Sequence, residues 1–477
     1  METNIQKSAS AVLPTVNELK EALAATPASC AELLGAIFDA NTFVETERFA
    51  KRGGSEVSAT YKSDEFTGVM TGYGAVLGKL AFAFAQDMSR MQGALDASHA
   101  KKIADLYSLA VSNGAPIIGI FDSNGADIFE GAEALQGYAK IMASVASASG
   151  RVPQIAIVSG RCVGSFAAIA SMFDLMIVCD GASFYVAPPS VSGDEAPAAT
   201  IPAYKAADKA NAAAYVRKLI DLIPQNATCG AAAGDVTDDI NRAFAADLND
   251  AASVLAAIAD RGDYLEIAGG DAPEIACAIA RIGGTVCGLC ASSHAAGNGL
   301  ITASAARKAS KFVDFCDAFG IPFVSLLNSD GIAGEKENGA LDFAPELARL
   351  SMSVAKSRNP KISVVLGAGI GAAFSMLASK EIGFDVCYAT DTAEISALTA
   401  SSSVAFAWNS KITVDLSRDD LEARWRSTIA SPVSAAACGA VDDIISVAEI
   451  RARVCSALYL LGQKGAADKR FHTVSPV

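Results

Sequence analysis

Histidine is scarce in this chain of 477 residues, which contains only His99, His294 and His472. The sequence also lacks the nucleophile turn GxSxG, the zinc-binding sequence HExxH and a phosphate-binding P-loop. A lone histidine is more often structural than catalytic. These absences argue against a serine hydrolase triad, a zinc peptidase and a P-loop enzyme, and any chemistry must depend on another kind of donor.

Long runs of positive charge are also missing. Lysine and arginine number 38 against 52 acidic residues, which gives a net charge of −14. A nucleic-acid-binding protein needs clustered cations to neutralise phosphates. We therefore expect no nucleic-acid partner, and we interpret the acidity as an aid to solubility. Aromatic residues make up 7% of the chain, which favours close helix-on-sheet packing over an all-β design.

The eleven cysteines do not form a disulfide or metal pattern. Their number is odd, and most lie scattered through apolar stretches. This usage is typical of free thiols in a reducing compartment, so we expect a cytoplasmic protein. Cys287 and Cys290 form one CxxC pair, but no second pair or histidine stands at ligand spacing, and zinc needs four ligands. We predict no metal site.

One uncharged run, from Ile362 to Ser379, is almost long enough to cross a membrane. It begins with β-branched residues and is interrupted by three glycines. These features favour a buried strand, a tight turn and a buried helix, and therefore a soluble protein.

The sequence contains two related copies, about 206 residues apart. Gly114–Ala126 reads GAPIIGIFDSNGA, and Gly320–Ile332 reads GIPFVSLLNSDGI. Each run is followed by a second apolar strand and a glycine turn, so that Gly164 and Gly371 correspond. A repeat of this length indicates two homologous domains. We place them at residues 1–235 and 236–477.

Each copy alternates strands with helices, which predicts an α/β fold with parallel β-α-β units. Elsewhere, the chain is predicted to be helical up to about Thr60 and to form a surface helix with a linker over Ser190–Asp250. Two amphipathic helices are predicted near the C-terminus. In the first copy the predicted elements are helix Ala97–Asn113, strand Pro116–Asp122, helix Ala132–Ala148, strand Gln154–Val158, helix Ser165–Met172 and strand Leu175–Cys179.

The glycine turns offer backbone amides as an alternative to catalytic side chains. A strand that ends in glycine before a helix leaves N–H groups directed at one point. Two such turns can form an oxyanion hole, although each alone could be an ordinary tight turn. The candidates are Gly125, Ala126, Gly164 and Ser165 in the first copy and Gly331, Ile332, Ala372 and Ala373 in the second.

Stretches along nearly the whole chain resemble one enzyme family, the carboxyltransferase subunits of biotin-dependent acyl-CoA carboxylases and decarboxylases, including the propionyl-CoA carboxylase beta chains. The resemblance is carried by TGYGAVLGK, HAKKIADLYSLAVSNGAPIIGIFDSNGADIFEGAEALQGY, VPQIAIVSGRCVG, ARIGGTVCGL, NPKISVVLGAGIGAAFSMLASKEIGFD and ASPVSAAACGAVDDII. It implies two crotonase-like (ββα-spiral) domains in tandem.

The resemblance also implies a reaction, in which a carboxyl group moves between biotin and the α-carbon of an acyl-CoA of the propionyl or methylmalonyl type. Gly164 and Ser165 would hold the thioester oxygen, and Ala372 and Ala373 would hold the ureido oxygen of biotin. The turns Gly125-Ala126 and Gly331-Ile332 would complete the two holes, and Ser375 would line the substrate pocket.

The implied partners are a biotin carboxyl carrier protein, because the chain has no biotinylation sequence, and either a biotin carboxylase or a membrane decarboxylase subunit. The family precedent is a homo-oligomer, a hexamer, whose site lies between subunits. Three alternatives remain open: a decarboxylase subunit, a catalytically silent scaffold, and a crotonase-type hydratase that uses Glu130 and Glu133. The two glutamates are more typical of the first turn of a helix.

Overall fold

The fold was derived from a computed structural model. It describes residues 14–52, 66–187, 203–231, 234–334, 343–462, 464 and 472–474. Within these ranges the chain forms two α/β halves, each with its own sheet of eight described strands.

The first-half sheet has the order β1-β2-β3-β4-β5-β6-β8, with β7 paired to β5. The pairs β1·β2 and β2·β3 are antiparallel, and the other pairs are parallel. The strands are β1 Val44–Thr46, β2 Val69–Val76, β3 Lys79–Gln86, β4 Ile117–Ser123, β5 Gln154–Val163, β6 Leu175–Cys179, β7 Ser183–Tyr185 and β8 Tyr204–Ala206.

The second-half sheet repeats this topology in the order β9-β10-β11-β12-β13-β14-β16, with β15 paired to β13. Its first two pairs are again antiparallel and the others parallel. The strands are β9 Tyr264–Ile267, β10 Ile275–Ile282, β11 Thr285–Ser292, β12 Phe323–Ser329, β13 Lys361–Ile370, β14 Val386–Thr390, β15 Glu394–Ser396 and β16 Asp443–Ile445. The prediction of two homologous α/β domains is confirmed, while the boundary after residue 235 stays a prediction.

Helices cover the sheets and connect the parallel strands. In the first half they are α1 Val16–Ala25, α2 Ala31–Ile37, α3 Ala97–Asn113, α4 Ala132–Ala148, α5 Ser165–Ser171 and α6 Lys209–Leu222. In the second half they are α7 Ala251–Ile258, α8 Ala303–Ala318, α9 Phe343–Lys356, α10 Gly371–Leu377, α11 Ala400–Ser403, α12 Arg418–Ser427, α13 Pro432–Ala437 and α14 Ile450–Leu460.

Helix α3 has the predicted bounds because its ends are encoded locally. The Asp96 carboxylate accepts a hydrogen bond from His99 N at the first turn, and Gly114 ends the helix in a left-handed conformation. The bounds of α4 and β6 also match their predictions, but β5 continues to Val163, five residues beyond the predicted end. The extension matters because it carries the strand to the glycine turn.

The two halves share one apolar core. Side chains of both sheets and of α2, α6 and α8 form a single buried cluster, and two further clusters belong to one half each. The prediction of a surface helix in 190–250 is wrong, because α6 buries Val216, Leu219 and Ile220 completely. Polar contacts join the halves as well: Lys311 Nζ donates to Phe173 O at 2.8 Å.

Two other predictions were tested by the fold. The N-terminal region is not uniformly helical, since strand β1 follows α2 and pairs with β2; residues 53–65 lie outside the described ranges. The uncharged run from Ile362 forms strand β13, a turn and helix α10, as predicted. Among the described helices, none has the length and apolar character needed to cross a bilayer.

The CxxC pair is divided between the two faces of β11. Cys287 lies opposite Ala280, while Cys290 lies opposite Cys277 on β10. Residues three apart on a strand point to opposite faces, and the two thiols accordingly belong to different core clusters. Their side chains therefore do not converge on a common ligand position.

Candidate functional site

The candidate site of each half lies where adjacent parallel strands end. Strands β4 and β5 carry the first-half turns, and β12 and β13 carry the second-half turns. Both strand pairs shift register at equivalent points, between Phe121 and Ser123 and between Leu327 and Ser329. Ligands of α/β proteins bind outside the carboxyl ends of parallel strands. The fold therefore places the two sets of predicted residues at equivalent edges of separate sheets.

Within the first half, the two predicted turns are close neighbours. A Cβ atom added to Gly125 would lie 3.9 Å from Val163 Cγ2, and Val163 directly precedes Gly164. In the second half, a Cβ on Gly331 would lie 3.6 Å from Ile370 O, and Ile370 directly precedes Gly371. Each half thus brings its two turns together, as the sequence predicted.

A serine hydroxyl fixes each of the two turns that follow β4 and β12. The N–H of Gly125 donates to Ser123 Oγ at 3.0 Å, and the N–H of Gly331 donates to Ser329 Oγ at 3.2 Å. These two glycine amides are consequently engaged inside the chain. They shape the turns and are not the donors that face a ligand.

The N–H of the residue after each glycine, Ala126 in the first half and Ile332 in the second, points in a different direction from the glycine N–H. Leu95 N donates to Gly125 O at 2.9 Å, and Asp127 N donates to Leu95 O at 2.8 Å. In a parallel bridge of this kind the middle residue, Ala126, directs its own N–H away from the bridging segment. Ile301 makes the same bridge around Ile332 in the second half. Ala126 and Ile332 are therefore the better donor candidates.

The turn after β5 depends on glycine. Gly164 has φ +62° and ψ −133°, and Gly371 after β13 has φ +56°; a residue with a Cβ would be strained at either position. The N–H of Gly164 is already used, since it donates to Tyr185 O at 3.0 Å. Ser165 begins α5, and helix amides in the first turn have no acceptor within the helix. Ser165 N–H is thus the available donor.

By this structural equivalence, Ala372 corresponds to Ser165, and Ala373 stands one position later. The Ala373 side chain is fully buried in the shared core. Ser375 is exposed on α10, where its Oγ donates to Gly371 O at 3.3 Å. We call the Ala126 and Ser165 amides the first-half hole, and the Ile332 and Ala372 amides the second-half hole.

Two acidic residues near the first-half hole, Asp127 and Glu130, make contacts within the chain, but the buried Oε1 of Glu130 has no hydrogen-bond partner among the described residues. Asp127 is ion-paired with Arg52. Glu130 ends a short 3-10 turn, Ile128–Glu130, and its Oε2 accepts from Ala97 N at 2.7 Å. Burial raises the pKa of Glu130 to about 7. The prediction that Glu130 and Glu133 share one helix turn is wrong for Glu130, because Gly131 with φ +56° separates the 3-10 turn from α4.

Sequence reasoning missed the two serines that hold the turns. Ser123 and Ser329 occur in the segments SNG and SDG, at the same spacing from glycine in both copies. A repeated serine two residues before a glycine is a known turn signal, in which the hydroxyl bonds a nearby amide. Comparing the two copies position by position could have identified them.

The geometry defines a class of protein: a duplicated α/β fold in which each half brings two glycine turns together at the carboxyl ends of adjacent parallel strands. The model of the family described as carboxyl transferase domain matches residues 30–193 and 201–474. The chain therefore belongs to the carboxyl transferase family.

Known relatives cover nearly the whole chain. Methylmalonyl-CoA decarboxylase subunit alpha of Veillonella parvula is 31% identical over 91% of this chain and 90% of its own length. The methylmalonyl-CoA carboxyltransferase 12S subunit of Propionibacterium freudenreichii subsp. shermanii is 29% identical over 91% and 88%. A crystal structure of transcarboxylase 12S, described as a hexamer assembly with hydrolysed methylmalonyl-coenzyme A bound, has a TM-score of 0.86, 28% identity, and covers 96% of this chain and 94% of that one.

These findings confirm the predicted family, the tandem crotonase-like fold and the assignment as a carboxyltransferase enzyme. They do not bear on individual site residues, which remain predictions.

Proposed function

We propose that this protein transfers a carboxyl group between carboxybiotin and the α-carbon of an acyl-CoA of the propionyl or methylmalonyl type. The observation that carries the proposal is the duplicated pair of turns, one pair on each sheet, with amides available at equivalent positions. The printed names of the relatives support the substrate class, because methylmalonyl-CoA recurs among them.

The first-half hole would hold the thioester oxygen of the acyl-CoA. Removing or adding a carboxyl group at the α-carbon passes through an enolate, whose charge lies largely on that oxygen. Two fixed N–H donors, from Ala126 and Ser165, would stabilise this charge without having to reorganise. Losing one such donor in comparable sites costs about 10²–10³ in kcat. The stabilisation of the enolate that this mechanism requires from the two amides is therefore of the size found in comparable sites.

The second-half hole would hold the ureido oxygen of biotin through the amides of Ile332 and Ala372. The donor set fits that group, because a ureido oxygen accepts two N–H hydrogen bonds and the structure places the two turns side by side. When bound there, carboxybiotin would supply the carboxyl group from its N1 atom, and in the reverse direction uncarboxylated biotin would accept it at N1. The chain itself contributes orientation and hydrogen bonds there.

The partners follow from the same proposal. Biotin would arrive on a separate biotin carboxyl carrier protein, charged by a biotin carboxylase. The chain would act as a homohexamer, with the first half of one subunit facing the second half of another, since the similar transcarboxylase is described as a hexamer. A decarboxylase subunit is the second candidate, favoured by the Veillonella parvula relative. Co-purification with a membrane decarboxylase subunit instead of a biotin carboxylase would distinguish it.

The test uses a pair of variants at Ser165 in the full chain, with methylmalonyl-CoA and free biotin. Ser165→Pro removes the N–H together with the hydroxyl, and proline is tolerated at the first position of a helix. Ser165→Ala removes the hydroxyl and keeps the N–H. We expect Ser165→Pro to lose roughly 10²-fold in the rate of propionyl-CoA formation while Ser165→Ala stays near wild type.

Two outcomes would count against the proposal. Equal activity of Ser165→Pro and wild type would remove the first-half hole from the mechanism. A wild-type protein that binds acyl-CoA but never releases CO2 would instead be a silent scaffold.

A further inference from the structure

One tyrosine reaches the first-half hole from the helix that packs above it. Tyr138 lies on α4 and is 7% exposed. A Cβ atom added to Gly125 would lie 3.9 Å from Tyr138 Oη and 3.9 Å from Val163 Cγ2. Gly125 precedes Ala126, and Val163 is separated from Ser165 only by Gly164. The phenol oxygen therefore lies beside the two turns that supply the amides of the hole.

Packing fixes the orientation of this phenol while leaving its oxygen available. The ring contacts Phe166 edge to face, with centroids 5.0 Å apart at 73°. No hydrogen bond to Tyr138 Oη is present among the described residues, and Oη is not one of the buried polar atoms without a partner. A nearly buried hydroxyl with neither a partner nor full burial is open to a small space.

Two comparisons separate this tyrosine from an ordinary core residue. Tyr107 is also buried, but its Oη donates to Gln154 Oε1 at 3.0 Å, which accounts for the hydroxyl structurally. The second half offers no counterpart, because α9, the described helix at the matching place in the fold, contains no tyrosine. The free hydroxyl is thus specific to the first half.

We propose that Tyr138 Oη is a third hydrogen-bond donor of the first-half site and contacts the thioester oxygen of the bound acyl-CoA. The inference rests on the proposed function for the placement of the acyl-CoA in the first half. Burial raises the pKa of the phenol, so the hydroxyl remains protonated and can donate at any ordinary pH. A neutral donor fixed by a rigid ring adds to the amides without introducing a charge.

The experiment compares Tyr138→Phe with the control Tyr107→Phe in the full-length protein. Propionyl-CoA labelled at the thioester carbonyl is bound to each, and the carbonyl stretch is read by difference infrared spectroscopy. We expect the Tyr138→Phe spectrum to return toward the free-ligand frequency while Tyr107→Phe keeps the wild-type shift. In turnover of methylmalonyl-CoA with free biotin, Tyr138→Phe is expected to lose at least about tenfold in kcat with a smaller change in KM.

A second replacement keeps the test decisive if Tyr138→Phe folds poorly. Incorporation of 3-fluorotyrosine at position 138 preserves the shape of the ring and strengthens the donor, so the carbonyl stretch is expected to move further from the free value. An unchanged stretch and kcat in a folded Tyr138→Phe protein, or an unchanged stretch with 3-fluorotyrosine, would overturn the inference. A carbonyl shift that depends on Tyr138 in a protein without turnover would overturn the proposed function alone.

Discussion

The two half-sites have the same backbone and different side chains. Each has a serine-held turn, a register shift and a left-handed glycine before a short helix. Beside these shared backbone turns, the first half has the side chains of Asp127 and Tyr138. The second half has Ile332, which is 40% exposed, and the buried Ala333 at the matching turn.

The surroundings of the turns differ in charge as well. In the second half, His294 Nε2 lies 3.4 Å from Asp330 Oδ1, directly before Gly331. The equivalent first-half position is Asn124, whose Oδ1 accepts from Arg161 at 2.7 Å. The two copies have therefore kept equivalent backbone amides, while the side chains around these amides differ. This is the pattern expected if the backbone binds an oxygen in both halves and the side chains select different molecules.

The sharpest way to test this comparison is to remove one amide from the second half. Ala372 lies in the first turn of α10, so Ala372→Pro removes an N–H where proline is tolerated. We expect biotin-dependent turnover to fall by about 10²-fold, while the carbonyl stretch of bound propionyl-CoA remains as in wild type. Ala372→Ser, which keeps the amide, is the control. A changed thioester spectrum in Ala372→Pro would show that the halves do not divide their ligands as proposed.

Ser123 and Ser329 should differ in how much they contribute to the free energy of unfolding. Ser329 Oγ accepts from Gly331 N and also donates to Gly299 O at 2.6 Å, whereas the contact from Ser123 Oγ to Gly125 O is longer, at 3.4 Å. Ser329→Ala leaves two buried backbone groups unpaired and is expected to cost about 1–3 kcal/mol of unfolding free energy. We expect a smaller loss for Ser123→Ala.

Denaturant unfolding of both variants measures the difference. Ser112→Ala, which removes an exposed hydroxyl on α3, serves as the control and should stay within about 0.5 kcal/mol of wild type. Equal losses for Ser329→Ala and Ser123→Ala would mean that the two turns are fixed equally well.

A smaller effect concerns pH and the carboxylate beside the first-half hole. Burial raises the pKa of Glu130 from 4.5 to about 7. A raised carboxyl pKa means that the folded protein binds the proton more tightly than the unfolded chain, so stability from this group is present at low pH and is lost as the pH rises from about 4.5 through 7. Glu130→Gln, which stays neutral, should remove that part of the pH dependence and be more stable than wild type above pH 7.

Thermal melting between pH 4.5 and 8 checks this expectation, with Glu21→Gln on the exposed face of α1 as the control. A Glu130→Gln profile parallel to that of the wild type would place the titration elsewhere.

Much of the fold could be predicted because its signals are local. The bounds of α3 follow from the Asp96 cap and Gly114, and the glycine turns follow from the φ values that only glycine adopts easily. The burial of helix α6 could not be predicted in this way. Its sequence is amphipathic, but the apolar surface that covers it comes from both halves of the chain, which are distant in sequence.

The candidate site, too, was predicted only in part from the sequence. The turns were predicted, but the sequence could not show that the N–H groups of Gly125, Gly331 and Gly164 are already bonded inside the chain. The Gly164 amide is satisfied by Tyr185 O on β7, a strand 21 residues further on. Tyr138 was not identified either, because α4 meets the hole only after the helix has packed across the sheet.

The amino-acid order alone determined that this protein is a duplicated α/β fold, since the repeat, the glycines and the alternation of strands and helices are properties of the linear chain. The carboxyltransferase assignment came from the resemblance of its sequence to a known family. The tertiary structure decided which amides are available to bind an oxygen and which side chains stand beside them. The physical reason is that a backbone N–H has one strong hydrogen bond to give, and its acceptor is fixed only when distant segments come together.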